Sequence, residues 1–539
     1  MVTEVNTDAA HTEAAPARIA RAAGLVSGLT LVSRVFGLVR EQVFAALLGA
    51  GFHSDAFRIA FRIPNLLRDL FAEGALSAAF IPTYARTLTR EGRPAAHALA
   101  NRLLTALTAV LAVVVVLGLA FADEIVATLA PGYDDVPGKA PLTVLLTRIM
   151  MPFLPLVSFA AVAMGMLNAE ERFGVPALSP TMFNLVTIGW GALLWAMGLP
   201  LDQVVIGWAA GTLLGGLAQF LVQVPTLRRW GWRFRPEWAP RDPGIRRIAG
   251  LMGPATAGLA AVQVNIFVNS IFASHEPGAV SWLDYAFRIL YLPIGLFGVA
   301  LGTIATAGLA RRAAEEDLDG LRATLRQSLS MLAYLTVPAT AGLIVLAVPV
   351  VRLLYERGRF TAADTQATAT ALLIYSFGLL GYTGVKVLAP AFYALGRPRV
   401  PLAASALAVG TNLVVVLLGF RHLGFRAVAL GTALGSLANA ALLVGVFERR
   451  VSGLLGRGLF RGIGRMAVAA AVMAPLVRGA ATGIERLFGT RGLPAQLLTG
   501  LLPVLLGIAV YAALTRALRL PEVAALQSLL RRRRPGPNA

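Results

Sequence analysis

The chain has 539 residues, 57% of them apolar and only 14% charged, where soluble domains carry about 25% charged residues. A mean hydropathy of +0.70 over this length excludes a soluble globular protein, because one or two cores could not bury so much apolar surface. The net charge of +20 therefore argues for membrane topology rather than nucleic acid, and the lack of cysteine excludes disulfides, thiolate metal sites and cysteine nucleophiles.

Residues 1–20 are polar, with Glu4, Asp8 and Glu13, and read as a cytosolic tail. The apolar run after them is interrupted by Arg34 and Arg40, unlike a cleaved secretory leader. Further along, the apolar runs reach spanning length, about 20 residues, rather than the ~10-residue alternation of barrel strands. The sequence thus predicts an all-α polytopic membrane protein with about fourteen transmembrane helices. They fall near 21–49, 56–85, 99–122, 142–168, 175–198, 203–225, 248–274, 279–309, 328–351, 365–394, 400–420, 425–447, 466–477 and 496–515. The thirteenth is the shortest.

Ala56-Phe57-Arg58-Ile59 in the second span recurs as Ala286-Phe287-Arg288-Ile289 in the eighth, each with an Asp upstream (Asp55, Asp284) and a Pro after it (Pro64, Pro293). That repeat predicts two pseudo-symmetric six-helix lobes, 21–235 and 236–450, then a helix pair over 451–516 and a basic tail over 517–539. Repeated lobes around a midplane site are a common transporter plan. With the N-terminus inside, cytosolic segments hold 31 of the 48 basic residues, outer loops nine and the membrane eight. Basic loops resist translocation, so both termini are expected in the cytosol. The Arg531–Arg534 run is then a tail near anionic headgroups.

Ionisable side chains inside hydrocarbon cost about 2.5–3.5 kcal/mol each and are expected to face a wet cavity or a partner. Along the second span Asp55, Arg58, Arg62, Asn65, Asp69 and Glu73 repeat at 3, 4, 3, 4 and 4, which makes one helical stripe. Arg68 stands beside it. In the first span Arg34 and Glu41 share a face, with Arg40 adjacent; in the eighth, Asp284 and Arg288 are an i,i+4 pair. Two readings stand for Arg58 and Arg62: cavity lining, or snorkelling to headgroups. Asp69 and Glu73 read as counter-charges to neighbouring arginines, and Asp284 as partner to Arg288. Arg34, Arg40, Arg68 and Arg288 lie too deep to snorkel. Guanidinium forks bind phosphate oxygens bidentately and stay charged, so this set suits a pyrophosphate-linked substrate.

Gln263, Asn265 and Asn269 in the seventh span either hydrogen-bond between helices, line a path or coordinate a small cation. Lys386 is either a paired structural lysine or a charge that biases a transition in the membrane potential. The five histidines are scattered, so no metal site is expected, and no GxxxxGK[ST] loop marks an ATPase. No cofactor is expected. Energy is left to a monovalent ion, the membrane potential or the substrate's own supply.

Several blocks resemble the MurJ (MviN) family. They are Ser33 to Glu41 (SRVFGLVRE), Gly49-Ala50-Gly51, Asp55-Ala56-Phe57, Ile63 to Arg68 (IPNLLR) and Phe71 to Ala75 (FAEGA). Further similar blocks are Ala130-Pro131-Gly132-Tyr133, Met252-Gly253-Pro254-Ala255, Val299 to Thr303, Gly358-Arg359-Phe360-Thr361 and Val385 to Pro390. The resemblance covers about 20 to 450. It implies flipping of lipid II, the undecaprenyl-pyrophosphate-linked peptidoglycan precursor, within the superfamily of multidrug exporters and polysaccharide flippases. It further implies two lobes around a central cavity and a groove from the last two helices for the lipid tail. The family's cavity arginines carry over onto Arg34, Arg40, Arg68 and Arg288, and its first-loop aspartate onto Asp55. Glu41 stands where the family often has Asp, and Phe287 where it often has an acidic residue before the arginine; Asp284, one turn earlier, is the candidate replacement.

The expectation is a lipid II flippase of the bacterial inner membrane, working by alternating access for cell wall synthesis, with membrane lipids and cell-wall synthesis enzymes as its surroundings. A polysaccharide-lipid flippase or a cation-coupled drug exporter of the same superfamily is the alternative. An enzyme acting on polyprenyl pyrophosphates would need clustered acidic metal ligands or a catalytic His, and neither is visible in the sequence.

Overall fold

The computed structural model describes the backbone of residues 8–68 and 75–532, and the side chains of 24–68, 76–252 and 263–527. All regular structure in it is helical. Ten stretches of these residues are long and apolar enough to cross a membrane, and a broken pair bent by 44° makes eleven. Outward faces are lined by residues such as Val113, Val116, Trp195, Ile304, Leu418 and Ile508, which only lipid would solvate. The chain is therefore a multi-pass membrane protein.

The expected spans differ from these helices in several places. The tail and first span form one helix, α1 (Asp8–Leu48), since the Ala-rich stretch before the apolar run is itself a strong helix former. The described parts of the second span are α2 (Phe52–Arg68) and α3 (Ala75–Glu91), with 69–74 outside the described residues. α1 and α2 carry several charges, so composition alone does not mark them as spans. The stretch expected at 466–477 is a 32-residue helix, α19 (Arg457–Phe488). Arg461, Arg465 and Arg478 interrupt its apolar run but not its backbone, because long basic side chains reach past apolar surface.

The chain falls into two compact units, Met1–Gln263 and Val264–Ala539. The first holds α1 to α3, then α4 (Arg93–Ala120), α5 (Ala122–Leu129), α6 (Lys139–Met150), α7 (Phe153–Ala169), α8 (Gly174–Met197), α9 (Leu201–Leu221), α10 (Val224–Arg229) and most of α11 (Pro243–Ser274). One core of this unit packs Phe80 and Tyr84 of α3, Leu103 and Leu107 of α4, and Val162 and Met166 of α7 with Trp232 and Ile248. α2 packs along α6, and α1 along α8.

The second unit follows with α12 (Ala279–Pro293), a wide turn over Ile294–Val299, α13 (Ala300–Ala314), α14 (Leu318–Tyr355), α15 (Ala362–Phe377), α16 (Leu379–Ala394), α17 (Arg399–Leu423), α18 (Phe425–Arg450), α19, α20 (Leu493–Ala517) and α21 (Pro521–Arg532). α14 is its spine: α19 and α20 pack on it through Tyr334, Met466, Met473 and Tyr511. The expected basic tail begins as α21, docked where the Ser330 hydroxyl donates to the buried carboxylate of Glu522. Side chains of Arg531–Arg534 lie outside the described residues.

One block noted in the sequence has a local cause. In Gly358-Arg359-Phe360-Thr361, Gly358 takes φ +58°, a left-handed conformation that favours glycine. Phe360 stands edge-on to Tyr285 with centroids 5.2 Å apart, and Thr361 with Asp364 caps α15 reciprocally.

Both units also tie down the chain that leaves their sixth expected span. In the first, Asn101 and Arg102 of α4 bind residues 233–242. In the second, Arg322 of α14 donates to the Ser452 carbonyl and Arg326 to that of Leu454.

Candidate functional site

In the first unit, Arg40 of α1 donates Nη2 to Glu41 Oε1 at 2.7 Å, and its guanidinium lies 5.0 Å from the Phe183 ring of α8. The other carboxylate oxygen, Oε2, lies 3.6 Å from Arg58 Nη2 of α2. The Arg58 guanidinium in turn stands 5.0 Å from the Phe44 ring. One carboxylate is thus shared by two arginines, each backed by an aromatic face. Partners of this kind are what let guanidinium groups lie away from water. Arg58 is buried, so of its two sequence readings snorkelling is the one the geometry opposes.

Asp55 is not in that group. Its Oδ2 accepts from Lys139 Nζ of α6 at 2.9 Å, and the side chains are 0% and 1% exposed. The same ammonium lies 4.2 Å from the Tyr133 ring centroid. Burial, and after it the Asp55 charge, pushes the Tyr133 hydroxyl well above the usual phenol range, so it stays a neutral lid on the pair.

Arg62 and Arg68 are half-buried further along α2, on either side of Pro64, and Arg68 is the last residue described before 69–74. Asp69 and Glu73 lie outside the described residues. Arg34 is exposed on α1 and makes no ion pair among the described residues; the carbonyl of neighbouring Ser33 accepts from Asn184 Nδ2 of α8 at 3.2 Å.

In the second unit, Arg288 Nε donates to Asp284 Oδ2 at 2.8 Å on α12, the i,i+4 pair expected from the spacing. Phe287 turns instead into an aromatic cluster, edge-on to Tyr375 at 5.6 Å and to Tyr382 at 5.8 Å. The acidic partner of the arginine therefore sits one turn back, and the position beside it packs.

Lys386 is exposed on α16 and lines a cavity of about 190 Å³ with Asn265, Tyr382, Asn412, Thr432 and Asn439. Much of the amide lining is used internally. Asn412 Nδ2 donates to Asn265 Oδ1 at 2.6 Å and to Asn269 Oδ1 at 2.8 Å, and Asn269 Nδ2 donates to Thr432 Oγ1 at 3.0 Å. For Asn265 and Asn269 of this polar row the interhelical hydrogen bonds are seen, while Asn265 also lines the cavity and Gln263 is buried. Among the described residues no three of His, Asp and Glu converge as a metal site.

Four participants escaped sequence reasoning: Lys139, the two rings Phe44 and Phe183 that back the arginines, and Asn412. Lys139 alone carried a signal. It is one of two lysines among 48 basic residues, and a compact ammonium suits a closed pocket better than a guanidinium.

The chain is thus a multi-pass helical membrane protein that carries arginine–carboxylate groups on α1 and α2 in its first unit and on α12 in its second. A family model described as "Lipid II flippase MurJ" matches residues 44–499. The chain is 35% identical over 464 residues to the "Probable lipid II flippase MurJ" of Vibrio cholerae, covering 85% of this chain and 88% of that one. It is 36% identical over 449 residues to the "Lipid II flippase MurJ" of Burkholderia cenocepacia, covering 82% and 84%. The chain belongs to the MurJ family, a family of lipid flippases of the inner membrane rather than enzymes. Its fold is similar to a solved structure titled "Lipid II flippase MurJ, inward closed conformation", with TM-score 0.74 and 24% identity over 92% of this chain and 98% of that one. It is also similar to an inward-facing multidrug transporter of the MATE family, with TM-score 0.65, 16% identity and coverage of 80% and 98%.

Proposed function

We propose that this chain flips lipid II across the cytoplasmic membrane by alternating access, supplying the precursor for cell wall synthesis. The observation that carries the reading is Arg40 and Arg58 sharing Glu41, in a chain that matches lipid II flippases over residues 44–499. A pyrophosphate carries several charges and needs several fixed guanidinium donors. A shared carboxylate keeps such donors solvated when no substrate is there, and it can yield them to phosphate oxygens.

In this reading Arg34, Arg40, Arg68 and Arg288 bind the acidic groups of the headgroup. Asp55, Arg58, Arg62, Glu41, Asp69, Glu73, Asp284 and Lys386 support them. Fourteen helices in two six-helix lobes plus a pair for the lipid tail fit the Ala-Phe-Arg-Ile repeat. So does the matching way in which α4 and α14 tie down the chain that follows each set of six. Both termini face the cytosol on the arginine distribution. The drive is a monovalent ion or the membrane potential, with Lys386 as the responding charge. Cell-wall synthesis enzymes are the partners that would consume the product.

The test is complementation of cells depleted of their own flippase, with externally accessible lipid II as the readout. Arg40→Ala and Arg288→Ala should abolish rescue at normal expression, whereas Arg311→Ala, exposed at the end of α13, should rescue. Equal behaviour of all three would overturn the arginine site. Rescue by the Arg40→Ala and Arg288→Ala variants together with export of organic cations would favour a drug exporter.

A further inference from the structure

Residues 230–242 join α10 to α11 and read Trp-Gly-Trp-Arg-Phe-Arg-Pro-Glu-Trp-Ala-Pro-Arg-Asp. A linker this rich in arginine would ordinarily be a solvated loop, yet it is built into the first unit. Trp230 is held between two guanidinium groups, Arg93 at 4.5 Å and Arg172 at 4.1 Å from its ring centroid. Trp232 is buried and donates Nε1 to Asn101 Oδ1 at 3.0 Å, while Asn101 Nδ2 donates to the Arg233 carbonyl at 3.1 Å. The Glu237 amide donates to Thr105 Oγ1 at 3.0 Å.

The two acidic residues of the segment are both taken by one arginine of α4. Arg102 Nε donates to Glu237 Oε1 at 2.8 Å and Nη1 to Asp242 Oδ2 at 2.7 Å. Asp242 Oδ1 meanwhile accepts from the Gly244 and Ile245 amides at the start of α11. The strap thus ties both of its negative charges to α4, with Asp242 largely covered and Glu237 paired but still 45% exposed. What it leaves outside is a set of exposed arginines, Arg228, Arg229, Arg233, Arg235 and Arg241, none in an ion pair among the described residues. Between them stand two large aromatic side chains, Phe234 at 50% and Trp238 at 64% exposure.

We propose that this strapped segment is a membrane-surface site, in which Phe234 and Trp238 enter the interfacial layer and the arginines bind the anionic headgroups of the leaflet at which α10 ends. Three observations converge on that occupant. The segment is bracketed within a few residues by helices at both ends, so it cannot leave the bilayer surface. Aromatic rings with a polar edge favour the headgroup level, which accounts for spending two tryptophans on the fold and leaving the third outside. The charge that the segment leaves outside an ion pair among the described residues is all positive, and each arginine near an anionic leaflet strengthens association about fivefold.

The chain has no cysteine, so Phe234→Cys in the full-length protein gives a single attachment point for an environment-sensitive fluorophore, with Trp238 intact. The labelled protein is reconstituted into vesicles of phosphatidylcholine alone and of phosphatidylcholine with phosphatidylglycerol. The expected result is blue-shifted emission and about twofold greater quenching by shallow spin-labelled lipid in the anionic vesicles. Asp319→Cys, whose side chain is 86% exposed on α14, is the control and should report water in both. Adding Arg233→Gln, Arg235→Gln and Arg241→Gln should remove the anionic dependence while the size-exclusion profile is retained. Emission at position 234 matching that at 319 in both vesicles would overturn the proposal. So would equal quenching in both, which removes headgroup recognition, or reproduction of the shift by inorganic phosphate in phosphatidylcholine vesicles, which makes it a free-anion site.

Discussion

Lys139 Nζ lies 2.9 Å from Asp55 Oδ2, with 1% and 0% of the side chains exposed, although 84 residues separate them in sequence. The pair fastens α2, which carries Arg58, Arg62 and Arg68, to α6. Its two charges are safe only together. Removing one partner of a buried pair costs about 3–5 kcal/mol, because the other charge is stranded away from water. Lys139→Met and Asp55→Asn should therefore each lower the unfolding temperature in detergent and the yield of folded protein. The combined Asp55→Asn, Lys139→Met variant should recover most of that loss, since a neutral buried pair strands nothing. If the double variant is less stable than both singles, the pair is not what fastens α2.

Glu41 makes a prediction of opposite sign for binding and for turnover. Its oxygens lie 2.7 Å from Arg40 and 3.6 Å from Arg58, so its charge offsets one of the two guanidinium groups before substrate arrives. Glu41→Gln keeps the shape and raises the local charge by one unit. A pyrophosphate lipid should then bind several-fold more tightly, as read by retention on the purified protein, and be released more slowly, as read by flipping in vesicles. Weaker binding would show that Glu41 positions the arginines rather than competing for them.

Phe287 is one of the two positions, with Glu41, at which the sequence departs from the pattern that the resemblance implies, and its surroundings are aromatic. Its ring stands 5.6 Å from Tyr375 and 5.8 Å from Tyr382, and aromatic pairs contribute about 0.5–1.5 kcal/mol each beyond their burial. Asp284 meanwhile binds Arg288 at 2.8 Å. Phe287→Asp should thus lower stability and rescue less well than wild type, although it restores the commoner residue. Phe287→Tyr should be tolerated. Asp284→Asn should reduce rescue while leaving detergent stability near wild type, because an exposed i,i+4 pair contributes only about 0.3–0.5 kcal/mol.

What the sequence disclosed, and what it withheld, follows from the range of each signal. The Asp284–Arg288 pair lies within one helical turn, and spacing alone predicts it. The Ala-Phe-Arg-Ile repeat was legible because four identical residues recur. The partner of Asp55 was not, since nothing local links residue 55 to 139; only the scarcity of lysine hinted at a special place for it. Helix ends failed for a related reason. Hydropathy locates apolar surface rather than hydrogen-bonded backbone, so α19 looked about one-third of its length between flanking arginines. Asn412 was silent because an asparagine in an apolar run means little until Asn265 and Asn269 come within reach.

Gly302 is the tightest test of how α13 meets α16. A Cβ built there would stand 2.6 Å from the Lys386 carbonyl oxygen and 3.2 Å from its carbonyl carbon. Those atoms are backbone inside a helix and cannot swing away as a side-chain tip could. Gly302→Ala must therefore push the helices apart, and overpacking of this kind costs about 1–3 kcal/mol. That exceeds the gain of up to about 1 kcal/mol that alanine ordinarily brings to a helix interior. Gly342, within α14, has no atom within 4 Å of a built Cβ, and there the same change should be neutral or stabilising. Thermal unfolding of the two variants in one detergent should move in opposite directions. Because α16 also carries Lys386 on its cavity-lining face, Gly302→Ala should slow flipping by more than its stability loss accounts for, measured at a temperature where both proteins remain folded. A Gly302→Ala protein as stable and as active as the Gly342→Ala protein would show that α13 and α16 do not need this close approach.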